Sequence, residues 1–170
     1  MTGRPSLPPL VKGVALGLLA VAALVGLAFL LNRGSQTRLD GAILKTRTIA
    51  TDEKASIAVV DFRIKNPARA LFLVKEVTLT AICADGKPVD GKPVPQSDLD
   101  RVLEYNPLAG PRFNPVLRTR EKLTGGTEVD RTAAGSFPLS DQELQARRNL
   151  ILKIQDADGV TVEIPEKPVR

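Results

Sequence analysis

Two groups of carboxylates have spacing that could do chemistry. Asp156-Ala157-Asp158-Gly159 opens like a calcium loop, in which alternate oxygens of a short acidic series surround the ion and a bidentate Glu closes it. Thr161 and Val162 stand where that series would continue, so the segment reads as a turn. Asp98, Asp100 and Glu104 could share one helix face as an acid/base or metal set. Acids near the positive end of a helix have a sufficient structural reason to be there, so they too read as structural.

Other catalytic types are excluded more directly. The chain contains no histidine, which removes the commonest transition-metal ligand and the base of Ser-His-Asp and Cys-His sites. Cys83 is the one cysteine, so it has no intrachain partner and reads as a small buried hydrophobe. Gly125-Gly126 is followed by no Lys-Ser/Thr, as a phosphate-binding loop would require. The chain therefore reads as non-enzymatic, with no catalytic, metal or cofactor-binding residue and no cofactor.

Basic residues are the remaining candidates. Arg112, Arg118, Arg120, Lys122, Arg147 and Arg148, with Phe113 among them, could line a surface for an anionic lipid or an acidic partner. A solvated face balanced by Glu121, Glu128 and Asp130 is the plainer reading. The net charge of +5 would suggest nucleic acid, but its distribution argues against that. Arg4, Lys12, Arg33 and Arg38 flank one apolar run; without them, 20 of the 24 Lys and Arg face all 19 Asp and Glu. The excess charge sits where lipid headgroups would meet it.

That apolar run, Gly13 to Leu31, is uncharged and bracketed by Lys12 and Arg33. Its length suits a helix crossing the ~30 Å hydrocarbon core of a bilayer. It ends Phe29-Leu30-Leu31-Asn32-Arg33 without a small-x-small cleavage site, so it is expected to be a retained signal anchor. Gly13 and Gly17, and then Ala22 and Gly26, have the small-xxx-small spacing that lets two helices approach, so a homodimer is conceivable but has no other support. Basic residues on both sides leave the positive-inside rule undecided. An N-terminal anchor with a short tail usually translocates the chain on its C-terminal side, which favours an extracytoplasmic, periplasmic domain. The expected organisation is a tail at 1–9, a transmembrane helix at 10–32, a polar stalk at 33–41, a β domain at 42–165 and a C-terminal tail at 166–170, with fraying expected from Pro165.

The elements of the β domain follow from hydrophobic period and punctuation. Ala58, Val60, Phe62 and Ile64 alternate with Val59, Asp61, Arg63 and Lys65, which predicts a strand with one wet face. Asn66-Pro67 ends it, and Leu71 to Cys83 predicts a second strand up to the Asp85-Gly86 turn. The tandem pentapeptides Asp85–Val89 and Asp90–Val94 read as a proline-stiffened loop or a short edge strand. Ser97 is expected to cap a helix with Leu99, Val102 and Leu103 on its apolar stripe. Asn106 to Pro115 is a proline-punctuated loop in which Phe113 is expected to pack on the core. Strands are expected again at Val116 to Leu123 and at Val129 toward Phe137. Ser140 and Glu143 form a capping box for a short helix. Leu150, Leu152 and Ile154 then pair through an Asp158-Gly159 hairpin with Val160, Val162 and Ile164.

Short strands separated by regular turn signals, with two brief helices, predict a mainly β fold: an antiparallel immunoglobulin-like β-sandwich preceded by one N-terminal transmembrane helix. An α+β domain with one helix-covered sheet is the alternative.

Phe62-Arg63-Ile64-Lys65-Asn66-Pro67, Asp85-Gly86 and Gly125-Gly126, in that order, resemble the late-embryogenesis-abundant type 2 domain, also called the water-stress-hypersensitivity domain. The Ser97 helix and the long Asn106 to Pro115 loop depart from that pattern. The resemblance implies a noncatalytic β-sandwich, in bacteria often membrane-attached and outside the cytoplasm, associated with stress tolerance or with apolar or membrane partners. The expected function is a membrane-anchored domain that binds or scaffolds a protein partner in the envelope. The alternative is an accessory subunit of an envelope or transport complex that docks through its anchor. The expected partners are the lipid bilayer and an envelope protein, with no nucleic acid.

Overall fold

Ala58, Val60, Phe62 and Ile64 recur at every second position, and the strand they predict is the one on which the rest is laid. The computed structural model describes residues 18–19, 21–27 and 39–167. The chain divides into two units, Met1–Gln36 and Thr37–Arg170. In the first, residues 18–19 and 21–27 are helical. Most of the expected 10–32 span, with Gly13 and Gly17, lies outside the described residues, as do the 1–9 tail, 33–38 of the stalk and 168–170. Among the described residues no helix is long and apolar enough to cross a membrane.

The second unit runs β1 (Asp40–Asp52), β2 (Ala55–Lys65), β3 (Phe72–Ile82), β4 (Pro88–Pro93), α1 (Gln96–Tyr105), a 3-10 turn (Pro107–Ala109), β5 (Lys122–Leu123), β6 (Glu128–Phe137), α2 (Asp141–Gln145), β7 (Asn149–Asp156) and β8 (Thr161–Pro165). It is mainly β. Its strands form an antiparallel sheet in the order β1-β2-β6-β4-β3-β7-β8, with β5 paired to β3. The sheet curls until Gly41 at the start of β1 meets the Ile164 side chain of β8. Its inner face is one core: Ala58, Val60, Phe62 and Ile64 pack with Phe72, Val74, Leu79, Phe137 and the Leu150, Leu152 and Ile154 row. Burying each of the large side chains stabilises the fold by about 1.5–3 kcal/mol.

β4 joins the two halves of the curl. Its first residues pair with β3, from Leu79↔Gly91 to Ile82↔Pro88. Its last two turn to β6, at Lys92↔Ser136 and Pro93↔Gly135. Gly91 marks the crossing, because a Cβ there would lie 2.7 Å from Cζ of the Phe137 ring. Residues 88–93 of the tandem pentapeptide are therefore an internal linking strand rather than an edge, after the expected turn at Asp85-Gly86.

Several local expectations are corrected by partners distant in sequence. The outer face of β2 is not uniformly wet: Val59 is 0% and Asp61 3% exposed, while Arg63 and Lys65 face solvent. A second core covers that face, in which Ile49, Ile57, Val59 and Ala134 meet Leu99 and Leu103 of α1. α1 begins one residue before Ser97, with Pro95 at the N-cap and no side-chain cap. The expected strand over Val116 to Leu123 reduces to one parallel bridge, Val116↔Thr132, and to β5. β1 begins at Asp40, inside the stretch read as stalk. The C-terminal residues are tied down as far as Lys167: the Glu166 N–H donates to the Leu150 carbonyl at 2.7 Å, and the Lys167 N–H to Asn149 Oδ1 at 3.0 Å. The Ser140–Glu143 capping box is present as expected.

Candidate functional site

Pro107 cannot continue α1, so the chain leaves the helix at Asn106, whose side chain donates back to the Val102 carbonyl at 2.8 Å. The single 3-10 turn after it ends at Gly110, which has φ +76°. This loop crosses β1, where Arg47 hydrogen-bonds to its backbone. Arg47 Nη1 donates to the carbonyls of Ala109 at 3.0 Å and Pro111 at 2.9 Å, with a longer contact of 3.5 Å to Gly110.

The same guanidinium is anchored from beneath. Arg47 Nη2 donates to Asp61 Oδ2 at 2.9 Å, and Asp61 Oδ1 accepts from Thr132 Oγ1 at 2.5 Å. The two charges are both buried, and a desolvated charge must be paired and hydrogen-bonded to persist. Here the pairing spans β1, β2 and β6, and the spare donors reach the loop. Arg47 Nε is buried without a partner, so the geometry favours the loop carbonyls over full satisfaction of the cation.

Above the clamp the end of α1 and the loop carry apolar side chains into solvent. Tyr105 is 83%, Leu108 fully and Phe113 56% exposed. Phe113 does not pack on the core; its ring lies under the Lys45 ammonium at 4.9 Å and the Arg47 guanidinium at 5.0 Å, both within cation–π range. A shallow groove of about 420 Å3 runs beside the loop, between Leu103, Pro107 and Pro111.

The basic residues singled out from sequence are dispersed. Arg112 is committed to Asp100 at 2.8 Å, and Arg147 to Glu166 at 2.7 Å. Arg118 donates to Gln96 Oε1 at 2.9 Å. Arg118, Arg120 and Lys122 share one exposed stretch, while exposed Arg148 lies beside Gly86, far from Phe113 in sequence. Ala22 and Gly26 lie on exposed helix, and space around Gly26 is open. Of the carboxylates expected to balance the cluster, Glu121 pairs with Arg131 at 2.7 Å and Asp130 with Arg63 at 2.7 Å. The Arg63 hydrogen bond holds the Asp130 carboxyl below its ordinary range.

Of the acidic candidates, Asp100 is paired with Arg112 and Asp156 has a structural role. Asp156 Oδ1 accepts from the Leu73 and Ala157 N–H groups at 2.8 Å, so it ties the β7–β8 turn to β3. Among the described residues no group of three or more His, Cys, Asp or Glu is arranged to hold a metal ion. Cys83 is half-buried rather than buried.

Sequence reading missed Lys45, Arg47, Tyr105 and Leu108. One signal was present: Asp61 interrupts the apolar run Ala58-Val59-Val60-Asp61-Phe62, and a charge in such a strand requires a cation opposite it. The sequence matches no protein-family model, and no curated protein matches it.

Proposed function

We propose that this chain is a noncatalytic binding protein whose curled sheet is an immunoglobulin-like β-sandwich of the late-embryogenesis-abundant type 2 kind, held outside the cytoplasm by a helix over Gly13 to Leu31. Its binding element is the Tyr105–Leu108–Phe113 tip, and its occupant is a protein partner in the envelope. The observation that carries this reading is the pairing of a rigid base with an exposed apolar tip. Burial would satisfy these side chains more simply, yet Leu108 and Phe113 stay exposed on a loop that Arg47 holds in place, with Tyr105 exposed at the end of α1 beside it. Exposed aromatic and leucine side chains on a pre-ordered loop bind with little loss of conformational entropy, which is how hot spots gain affinity. The Asn66-Pro67 and Gly125-Gly126 motifs support the family reading because they meet: the Gly126 N–H donates to the Asn66 carbonyl at 2.8 Å.

A photo-crosslinking residue placed at Leu108 in intact envelopes tests the reading. A discrete protein adduct is expected, abolished by Phe113→Asp and absent when the crosslinker is moved to Lys153. No adduct at position 108, or the same adducts from both positions, overturns it. The accessory-subunit reading draws on the exposed helical Ala22 and Gly26, and it predicts instead that Gly26→Leu changes the assembly size while Phe113→Asp does not.

A further inference from the structure

A cleft opens where the curled sheet parts. β3 and β6 come together at Gly135, where an added Cβ would stand 3.3 Å from that of Leu79. Toward the start of β6 the segment 115–121 runs between them. It bonds to β6 through the Leu117 N–H and the Thr132 carbonyl at 3.0 Å, and to β3 through the Arg120 N–H and the Val74 carbonyl at 2.7 Å. The gap that remains has a volume of about 350 Å3, at the lower end of the ~300–1,000 Å3 typical of ligand pockets.

Its chemistry is graded from floor to mouth. Leu117 and Ala133, buried members of the main core, form the floor. Half-buried Val77, Val94 and Val116 form the walls. At the mouth stand Arg118 with its Gln96 partner and, opposite in charge, the exposed Glu76. Arg118 meets no carboxylate at ion-pair distance among the described residues.

A second cation lies two residues later. Arg120 is the one non-glycine residue with positive φ among those described, at +66°. An L-residue in that conformation is strained where glycine would not be. Arg120 is exposed and shares a turn with Arg118, while nearby Glu121 is paired with Arg131. At the mouth itself Arg118 is the cation and Glu76 the anion.

We propose that this cleft binds an anionic amphiphile, its alkyl chain lying on Val77, Val116 and Leu117 and its carboxylate or phosphate head on Arg118. This site is separate from the Tyr105–Leu108–Phe113 tip and does not depend on what the tip binds. The same head-and-chain chemistry has two sources, a free fatty acid or an anionic phospholipid.

The full chain in phosphatidylcholine nanodiscs tests the proposal with three probes that carry one photoactivatable diazirine alkyl chain: a fatty acid, a phosphatidylglycerol and a fatty alcohol. Adducts from the acid or the phosphatidylglycerol are expected on Val77, Val116 or Leu117, and the probe that labels identifies the source. Arg118→Glu is expected to cut that labelling about tenfold, the worth of one charge-assisted hydrogen bond, and to leave adducts elsewhere unchanged. Val77→Phe with Val116→Phe fills the cleft and is expected to abolish it. No cleft adduct in the unmodified chain overturns the proposal. So does equal labelling by the alcohol, or labelling indifferent to Arg118→Glu. Arg118 is exposed, so its variant keeps the test decisive if the cleft-filling variant fails to fold.

Discussion

Arg47 and Asp61 close a 2.9 Å ion pair between neighbouring strands with side chains only 7% and 5% exposed, and Arg47 alone carries that burial outward to the loop. A buried pair of this kind adds little net stability over an apolar pair, because desolvation offsets the attraction. Removing one partner is different, since the other charge is left buried and uncompensated.

Asp61→Ala is therefore expected to destabilise the domain by about 3–5 kcal/mol, read by urea unfolding. Arg47→Lys keeps a cation but loses the planar fork that reaches Asp61 and the loop together. Its expected signature is local: hydrogen exchange across 107–113 should accelerate well beyond any global loss. Unchanged protection there would mean that Arg47 does not hold the tip.

The legible parts of the fold were those decided by neighbours in sequence. Ala58, Val60, Phe62 and Ile64 disclosed the inner face of β2, Ser140 and Glu143 the start of α2, and Leu99 and Leu103 the buried stripe of α1. The cover over Val59 was not legible, because α1 arrives about forty residues later and nothing local records the encounter. β4 was misread for the same reason. Its glycine and prolines look like a loop until Phe137 fills the space over Gly91. Phe113 lay in the right stretch, but the loop's anchor is Arg47, 62 to 64 residues away from the carbonyls it holds.

The two glycines of the β5–β6 turn should respond differently to alanine. At Gly125 a Cβ would stand 2.5 Å from the Ala68 carbonyl oxygen and 2.9 Å from Arg69 Cα, both backbone atoms that cannot swing aside. At Gly126 the space is open and only the φ of +77° resists. Gly126→Ala is expected to cost about 1 kcal/mol. Gly125→Ala should cost more, about 1–3 kcal/mol as overpacking does. Thermal unfolding orders them, and the reverse order would contradict the close approach.

Ser140 Oγ accepts from the Glu143 N–H at 3.3 Å, and the Glu143 carboxylate accepts from the Ser140 hydroxyl at 2.8 Å and its N–H at 2.9 Å. The hydroxyl contact first, and the backbone contact second, hold the Glu143 pKa below its ordinary value. A folded-state pKa below the unfolded one stabilises above the unfolded value, near pH ~4.3, and the contribution fades as pH falls through the folded value. Ser140→Ala should cost about 1 kcal/mol at neutral pH. Glu143→Gln should flatten the acid limb of a stability–pH profile; an unchanged limb would show that this carboxylate does not contribute to it.

Asn66 holds the other side of that glycine turn. Its side-chain amide donates to the Ala70 and Leu123 carbonyls, both at 2.8 Å, and its Oδ1 accepts from the Ala68 N–H at 3.0 Å. Asn66→Ala removes both of these donors, and a buried group left unsatisfied costs about 1–3 kcal/mol where water cannot replace the lost bond. Gly125 lies against the segment that Asn66 folds, so the two residues act on one junction. In a double-mutant cycle Asn66→Ala and Gly125→Ala should couple by about 0.5–3 kcal/mol, the doubly substituted chain losing less than the two single losses together. The physical reason is that a 66–70 loop already released by Asn66→Ala can retreat from the new Cβ. Additive losses would mean that this loop keeps its place without Asn66, and that the Asn-Pro and Gly-Gly motifs act independently although they touch.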